Sequence, residues 1–212
     1  MKKNKKQSVG RPPDSSANFA RDLILKTYFE ISNREGMESV TLQKIASSSG
    51  LALNTIRYHF NMQGLSLSKV ALDYVSDKTY EFLDAGMLKA RSQKNFDPVL
   101  AYLNLTFDWM SQQPIQASFL VYYYYLSSTQ VELTIDNKEL IEIAQQRISG
   151  LIYEGIGMKL YQINGSVDQL KRQIHMVLLG ACMVVITSRN ENFASTYKEE
   201  CLELCSSLLG VK

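Results

Sequence analysis

Between positions 54 and 59 the chain sets out Asn54, Thr55, Arg57, Tyr58 and His59, a run of hydrogen-bonding side chains that no carboxylate interrupts. Asparagine and arginine make paired bonds to base edges. Threonine, tyrosine and histidine reach phosphate oxygens. The chemistry on offer is therefore recognition of nucleic acid, with no bond made or broken. Side chains of this kind need an element that holds them outward, and the surrounding stretch 41–60, TLQKIASSSGLALNTIRYHF, supplies one. Thr41 is an N-cap for a short helix whose inner face holds Leu42, Ile45 and Ala46. Gly50 sits where the chain must leave that helix in a left-handed conformation. Leu51 fills the gap between two helices, and a second helix is expected from about Ala52 to His59. Small Ala46 allows that helix to come close, while Ile56 and Phe60 pin its inner face. A bland helix pair joined by a glycine turn would share some of these features. Ala46, Gly50, Leu51 and Ile56 together meet the spacing of a helix-turn-helix, which favours DNA.

From Ile24 to about Leu72 the sequence resembles the DNA-binding domain of the TetR-type transcriptional regulators. The likeness runs through a first helix (ILKTYFEISNREG), the helix-turn-helix and the start of a long following helix, and Thr55-Ile56-x-Tyr58-His59-Phe60 is its most specific part. The resemblance implies an all-α chain: an N-terminal three-helix helix-turn-helix domain followed by a larger helical-bundle body, working as a homodimer. It also implies a DNA-facing set of Thr41, Lys44, Asn54, Thr55, Arg57, Tyr58, His59 and Gln63. This chain departs from the family in three places. Met62-Gln63-Gly64 stands where the family has a Ser-Lys-Glu-like start to the fourth helix, so Gln63 keeps a donor but brings no charge. Ala52 replaces a capping serine, and Arg57 replaces an aromatic residue.

Composition is that of a globular protein, with 45% hydrophobic and 21% charged residues and 4 prolines among 212 residues. The length allows one or two domains with a buried core. Residues 1–75 carry 11 Lys and Arg against 6 Asp and Glu, a net +5, whereas the rest carries 12 against 15, a net −3. A basic N-terminal third on a mildly acidic body suits a modular DNA binder. The basic start leads into polar residues, so no signal peptide is expected. The apolar run Met176–Ile186 is too short to cross a bilayer, and no membrane partner is expected. Three cysteines, Cys182, Cys201 and Cys205, are an odd set that suits a reducing cytoplasm. No spacing of Cys and His forms a metal site, and no cofactor is expected.

Organisation along the chain follows from breakers and periodicity. Residues 1–16 form a flexible basic arm in which Gly10-Arg11-Pro12 is either a minor-groove wedge led by Arg11 or a solvated tail. Residues 17–65 form the DNA-binding domain. Its first helix is expected from Ser16 to Glu35, with Phe19, Leu23, Ile24, Thr27, Tyr28 and Ile31 inward. Residues 66–212 form the ligand-binding and dimerisation body. There a long helix over 66–92 precedes one opened by Asp97 and Pro98 and ended near Pro114. Helices at 115–128, 137–155, 166–188 and 193–209 complete the outline.

Two features of the body bear on function. Tyr102, Phe107, Trp109, Met110, Phe119 and Tyr123 are aromatic or soft apolar residues that either form plain core or line a cavity, and the family resemblance favours a pocket for a small, largely apolar effector. Of the run Tyr122–Tyr125, two at most face any one cavity. In the last two helices Ile174, Val177, Leu178, Ala181 and Val185 form one stripe, and Cys201, Leu204 and Leu208 belong to another. These stripes either pack as an intramolecular hairpin on the body or form a dimer interface; the family places its dimer interface there, and paired half-sites demand a twofold partner. An enzyme is the competing class. Asp108, Glu154 and His175 form no nucleophile–base set, so no catalytic residue is assigned. The expected function is a cytoplasmic, sequence-specific transcriptional regulator bound to a double-stranded operator, a repressor released by its effector. The alternative is a dimeric DNA binder with no effector.

Overall fold

The computed structural model describes residues 14–61, 67–188 and 191–211, and every regular element among them is helical. In order these are α1 (Asp14–Glu35), a 3-10 turn (Met37–Ser39), α2 (Leu42–Ser49), α3 (Leu53–Asn61), α4 (Leu67–Ala90), α5 (Pro98–Gln112), α6 (Pro114–Thr129), α7 (Val131–Gly157), α8 (Val167–Ser188) and α9 (Glu191–Leu209). The chain divides into two compact units, Met1–Val70 and Ala71–Lys212. That division falls inside α4, a few residues beyond the expected boundary at 65/66.

In the first unit α1 packs on α2 and the 3-10 turn, and α2 packs on α3. Ile24, Leu25, Tyr28, Phe29 and Ile31 are buried from α1, and Ile45 and Ile56 are buried from the next two helices. Thr27 and Ser32 are buried polar residues whose hydroxyls donate to the carbonyls of Leu23 and Tyr28, each at 2.8 Å, so neither is left unpaired. The helix stops at Gly36, whose φ of 88° an L side chain rarely adopts. Phe19 is a correction. It was expected on the inner face but is 69% exposed, because burial along α1 begins only near Leu23.

In the second unit α8 packs on both α7 and α9, while α5 meets α6, α7, α8 and α9. Asp97 caps α5 as expected, its carboxylate accepting the Leu100 N–H at 2.9 Å with Pro98 in the first turn. The same carboxylate accepts the Tyr161 hydroxyl at 2.6 Å, and that hydroxyl accepts the Val99 N–H at 3.2 Å. Tyr161 reaches this position only because Gly155 has no Cβ, which would collide with its ring. α7 begins six residues before the expected Asn137, since nothing between Val131 and Asn137 breaks a helix. At 22 residues, with a mean hydropathy of 1.4 over its most apolar stretch, α8 is long and apolar enough to cross a membrane, although its uninterrupted apolar run is not. Core helices meet the same criterion, and α8 buries Leu170, Ile174 and Leu178 within this unit.

Candidate functional site

The helix-turn-helix is built as its residues require. Thr41 is extended (φ −128°, ψ 157°), and its Oγ1 accepts the Lys44 N–H at 3.2 Å. Gly50 ends α2 in the left-handed region (φ 72°) and donates its N–H to the Ala46 carbonyl at 3.1 Å. The Ala52 carbonyl starts α3 by accepting from the Thr55 and Ile56 N–H groups at 2.9 and 3.2 Å. No side-chain cap is possible there, since Ala52 carries no polar side chain. Ile56 is fully buried, which turns Asn54, Arg57 and Tyr58 outward, all exposed, with Thr55 and His59 half-buried beside them. Tyr58 and His59 meet edge to face, their ring centres 5.6 Å apart.

Lys44 stands differently from the rest of the expected set. Its Nζ donates to Glu35 Oε2 at 2.7 Å, and Arg34 holds the other oxygen of the same carboxylate at 2.6 Å. The Lys44 hydrogen bond, followed by that of Arg34, lowers the Glu35 pKa below the usual glutamate value. The charge of Lys44 is thus matched within the protein. Arg11 and Gln63 lie outside the described residues, as does the side chain of Phe60.

The second unit contains a cavity of ≈160 Å³. Each of its helices α4 to α8 contributes one stripe spaced by three and four residues. Ser76, Thr79, Tyr80 and Leu83 come from α4, and Tyr102, Thr106, Trp109 and Met110 from α5. α8 supplies the longest stripe, which includes His175, Leu178, Cys182 and Met183. Tyr102, Trp109, Met110 and Tyr123 from the expected aromatic set line this cavity. Phe107 and Phe119 do not; they are buried (3% and 0% exposed) in solid core. Of the four consecutive tyrosines, Tyr123 and Tyr124 face the cavity and Tyr125 is 60% exposed. Burial raises the pKa of Tyr102 to about 12 and also raises those of Tyr80 and Tyr124, so all three are phenols at neutral pH. His175 is pushed down by desolvation and is held neutral. Sequence reasoning missed Tyr80 and Cys182 and set His175 aside as an ordinary helix histidine; the three-and-four spacing on α4 and α8 is the signal that could have found them.

The stripes expected at a dimer interface need correction. Ile174, Leu178, Ala181 and Cys201 are buried within the single chain, with Leu178 on the cavity wall. The physical reason is that this stripe of α8 is the one turned toward the body, so its apolar area is already used. Val177, Val185 and Leu208 are half-buried, and Leu204 is 50% exposed. Outward from the same two helices stand Met176 and Phe193, which the expected stripes omitted.

Neither carboxylate that suggested acid–base work is free for it. Asp108 accepts from Lys198 at 3.0 Å, and Glu154 takes both arms of Arg91 at 3.0 and 2.9 Å. Among the described residues no group of three or more His, Cys, Asp or Glu could hold a metal ion.

No protein-family model matches the sequence. The HTH-type transcriptional regulator SrpR of Pseudomonas putida is 28% identical over 174 aligned positions, which cover 71% of this chain and 82% of that protein. Among solved structures, a TetR transcription regulator from Haloarcula marismortui superposes with a TM-score of 0.75 at 14% identity, over 91% of this chain and 99% of the other. The fold is that of the TetR-type regulators. A transcriptional regulator from Saccharomonospora viridis, solved in complex with choline, shares the TetR-type fold with a TM-score of 0.67 at 18% identity, over 88% and 95% of the two chains. The TetR-type fold accounts for the order of elements seen here, with a three-helix unit first and a larger helical bundle after it.

Proposed function

We propose that this protein is a homodimeric transcriptional regulator that binds a double-stranded operator and is released from it by a small, largely apolar effector. The observation that carries the reading is the outer face of α3, where Asn54, Arg57 and Tyr58 stand exposed on a helix anchored by buried Ile56. Arg57 is the base reader, and Thr41, Tyr58 and His59 position the helix on the phosphates. The likeness to SrpR supports the regulatory role. The protein acts as a repressor in the cytoplasm, where its three free thiols remain reduced.

The dimer forms through the outward side chains of α8 and α9, with Met176, Phe193 and Leu204 in contact. Two recognition helices then meet successive major grooves, and a change of a few ångströms in their separation loses one half-site. An effector in the cavity acts by favouring the conformation whose spacing does not match. The test is selection of operator sequences from a random DNA library, followed by titration at several salt concentrations. One enriched, twofold-symmetric site is the expected result; binding of all sequences alike refutes sequence-specific regulation. Sedimentation of Leu204→Glu examines the interface, and an intact dimer refutes it.

A further inference from the structure

Resting on the reading of the cavity as an effector site, we propose that its ligand is a neutral molecule of about one aromatic ring bearing one acceptor oxygen, bound by the hydroxyls of Tyr80, Tyr102 and Tyr124. Size comes first. A cavity of ≈160 Å³ is close to the ~150 Å³ that holds a benzene molecule in a protein core. A ring with one small substituent fills it.

Charge comes next. No Asp, Glu, Lys or Arg lines the wall, and burial keeps His175 neutral. An anion would enter without a counter-ion, at a large desolvation cost. Arg147 supplies none, because its guanidinium stacks on the Tyr80 ring (4.4 Å to the centre) and pairs with Asp84 at 2.7 Å.

The hydroxyls decide the remaining chemistry. Thr79 and Thr106 spend their protons on the Val75 and Tyr102 carbonyls of their own helices, at 2.7 and 2.9 Å. Tyr123 donates to Asp136 at 3.4 Å. Tyr80, Tyr102 and Tyr124 have no hydrogen-bond partner among the described residues. They come from three different helices to the same cavity, and Tyr80 lies close enough to perturb the ionisation of both others. All three remain protonated, so each has a proton to donate to an acceptor in the cavity. A hydrocarbon of the same shape would bury them unpaired, which specificity sites of this kind penalise.

Calorimetric titration of the full-length protein with four ring compounds of similar size tests this. The probes are acetophenone (a neutral acceptor), cumene (a hydrocarbon), benzoate (an anion) and phenyltrimethylammonium (a cation). Acetophenone is expected to bind about tenfold more tightly than cumene, the worth of one good hydrogen bond. Tyr102→Phe and Tyr124→Phe, singly and together, should bring acetophenone toward cumene while leaving cumene itself unchanged. Unchanged cumene binding also shows that the variants fold. Equal binding of acetophenone and cumene to the wild type overturns the proposal, as does tightest binding of the anion or the cation. So does failure of all four to bind. Operator binding is measured separately: a protein that prefers acetophenone but selects no DNA refutes the regulatory reading alone, and one that selects DNA but binds none of the four refutes only the ligand class.

Discussion

On α3 the candidate DNA contacts stand outward from a single nine-residue helix held by Ile56, whereas the cavity of the second unit draws its wall from five helices, α4 to α8. The first surface is local. Removing one of its side chains leaves the neighbours in place, since exposed residues support little of the packing. The second surface is collective, because each wall residue also belongs to the core of the bundle. Trp109 and Phe119 illustrate the difference within the body: both are aromatic and buried, but only Trp109 borders empty space. A side chain that already faces a void has fewer contacts to lose.

The largest expected effect separates those two residues. Phe119→Ala should cost about 3–5 kcal/mol of folding stability, the usual loss for a fully enclosed aromatic. Trp109→Ala should cost less than that, despite the larger ring, and should abolish the effector response while DNA binding survives. Chemical denaturation of both variants checks the order; equal losses would mean that the cavity wall is as tightly packed as the core.

Arg57→Ala should act on DNA alone. Its loss is expected to weaken operator binding by about 1–3 kcal/mol if it pairs with a guanine. Folding stability should move by no more than about 0.5 kcal/mol, as for an ordinary surface change. Gel-shift titration on matched and shuffled DNA reads the first quantity. Unchanged affinity for both DNAs would remove Arg57 from the interface.

A smaller effect concerns Lys44, whose charge is matched by Glu35. Lys44→Ala should leave the slope of log affinity against log salt nearly unchanged, where a lysine gripping a phosphate would lower it by about one. Glu35→Gln should free Lys44 and steepen the slope by about that amount. A shallower slope in Lys44→Ala would show that the lysine leaves Glu35 for the phosphate backbone.

The smallest expected effect is a pH dependence from the cavity wall. Burial depresses the His175 pKa in the folded state, so the unfolded chain binds its proton first. Stability from keeping this residue neutral is present above the unfolded value of about 6.5 and is lost as pH falls below it. Denaturation series between pH 7.5 and 5 should therefore show a steeper acid loss in the wild type than in His175→Gln. Parallel curves would place His175 in contact with water or with a proton acceptor.

How much of this was legible in the residues themselves depended on the range over which each signal acts. Thr41, Gly50 and Ile56 specify the helix-turn-helix through caps and a left-handed turn, and Asp97-Pro98 specifies the start of α5; all act within one helical turn, so a linear reading finds them. The outward face of α3 followed directly from that register. The start of α7 was misjudged because the cap-like Asp136-Asn137 competes with a preceding stretch that contains no breaker. Phe19 was misplaced because periodicity marks a face but not where along the helix its cover ends. The amphipathic stripe of α8 was read correctly as apolar, yet its destination was not a property of α8. Whether Ile174 and Leu178 meet a second subunit or their own body depends on α5 and α7, the helices that α8 packs against, and not on α8 itself. The cavity is the extreme case. Tyr80, Tyr102 and Tyr124 sit 22 residues apart in each step, and each alone is an ordinary half-polar core residue. Only the packing of three helices brings these side chains to one cavity, because the volume left between side chains is a property of the assembled bundle and is written in no single segment of it.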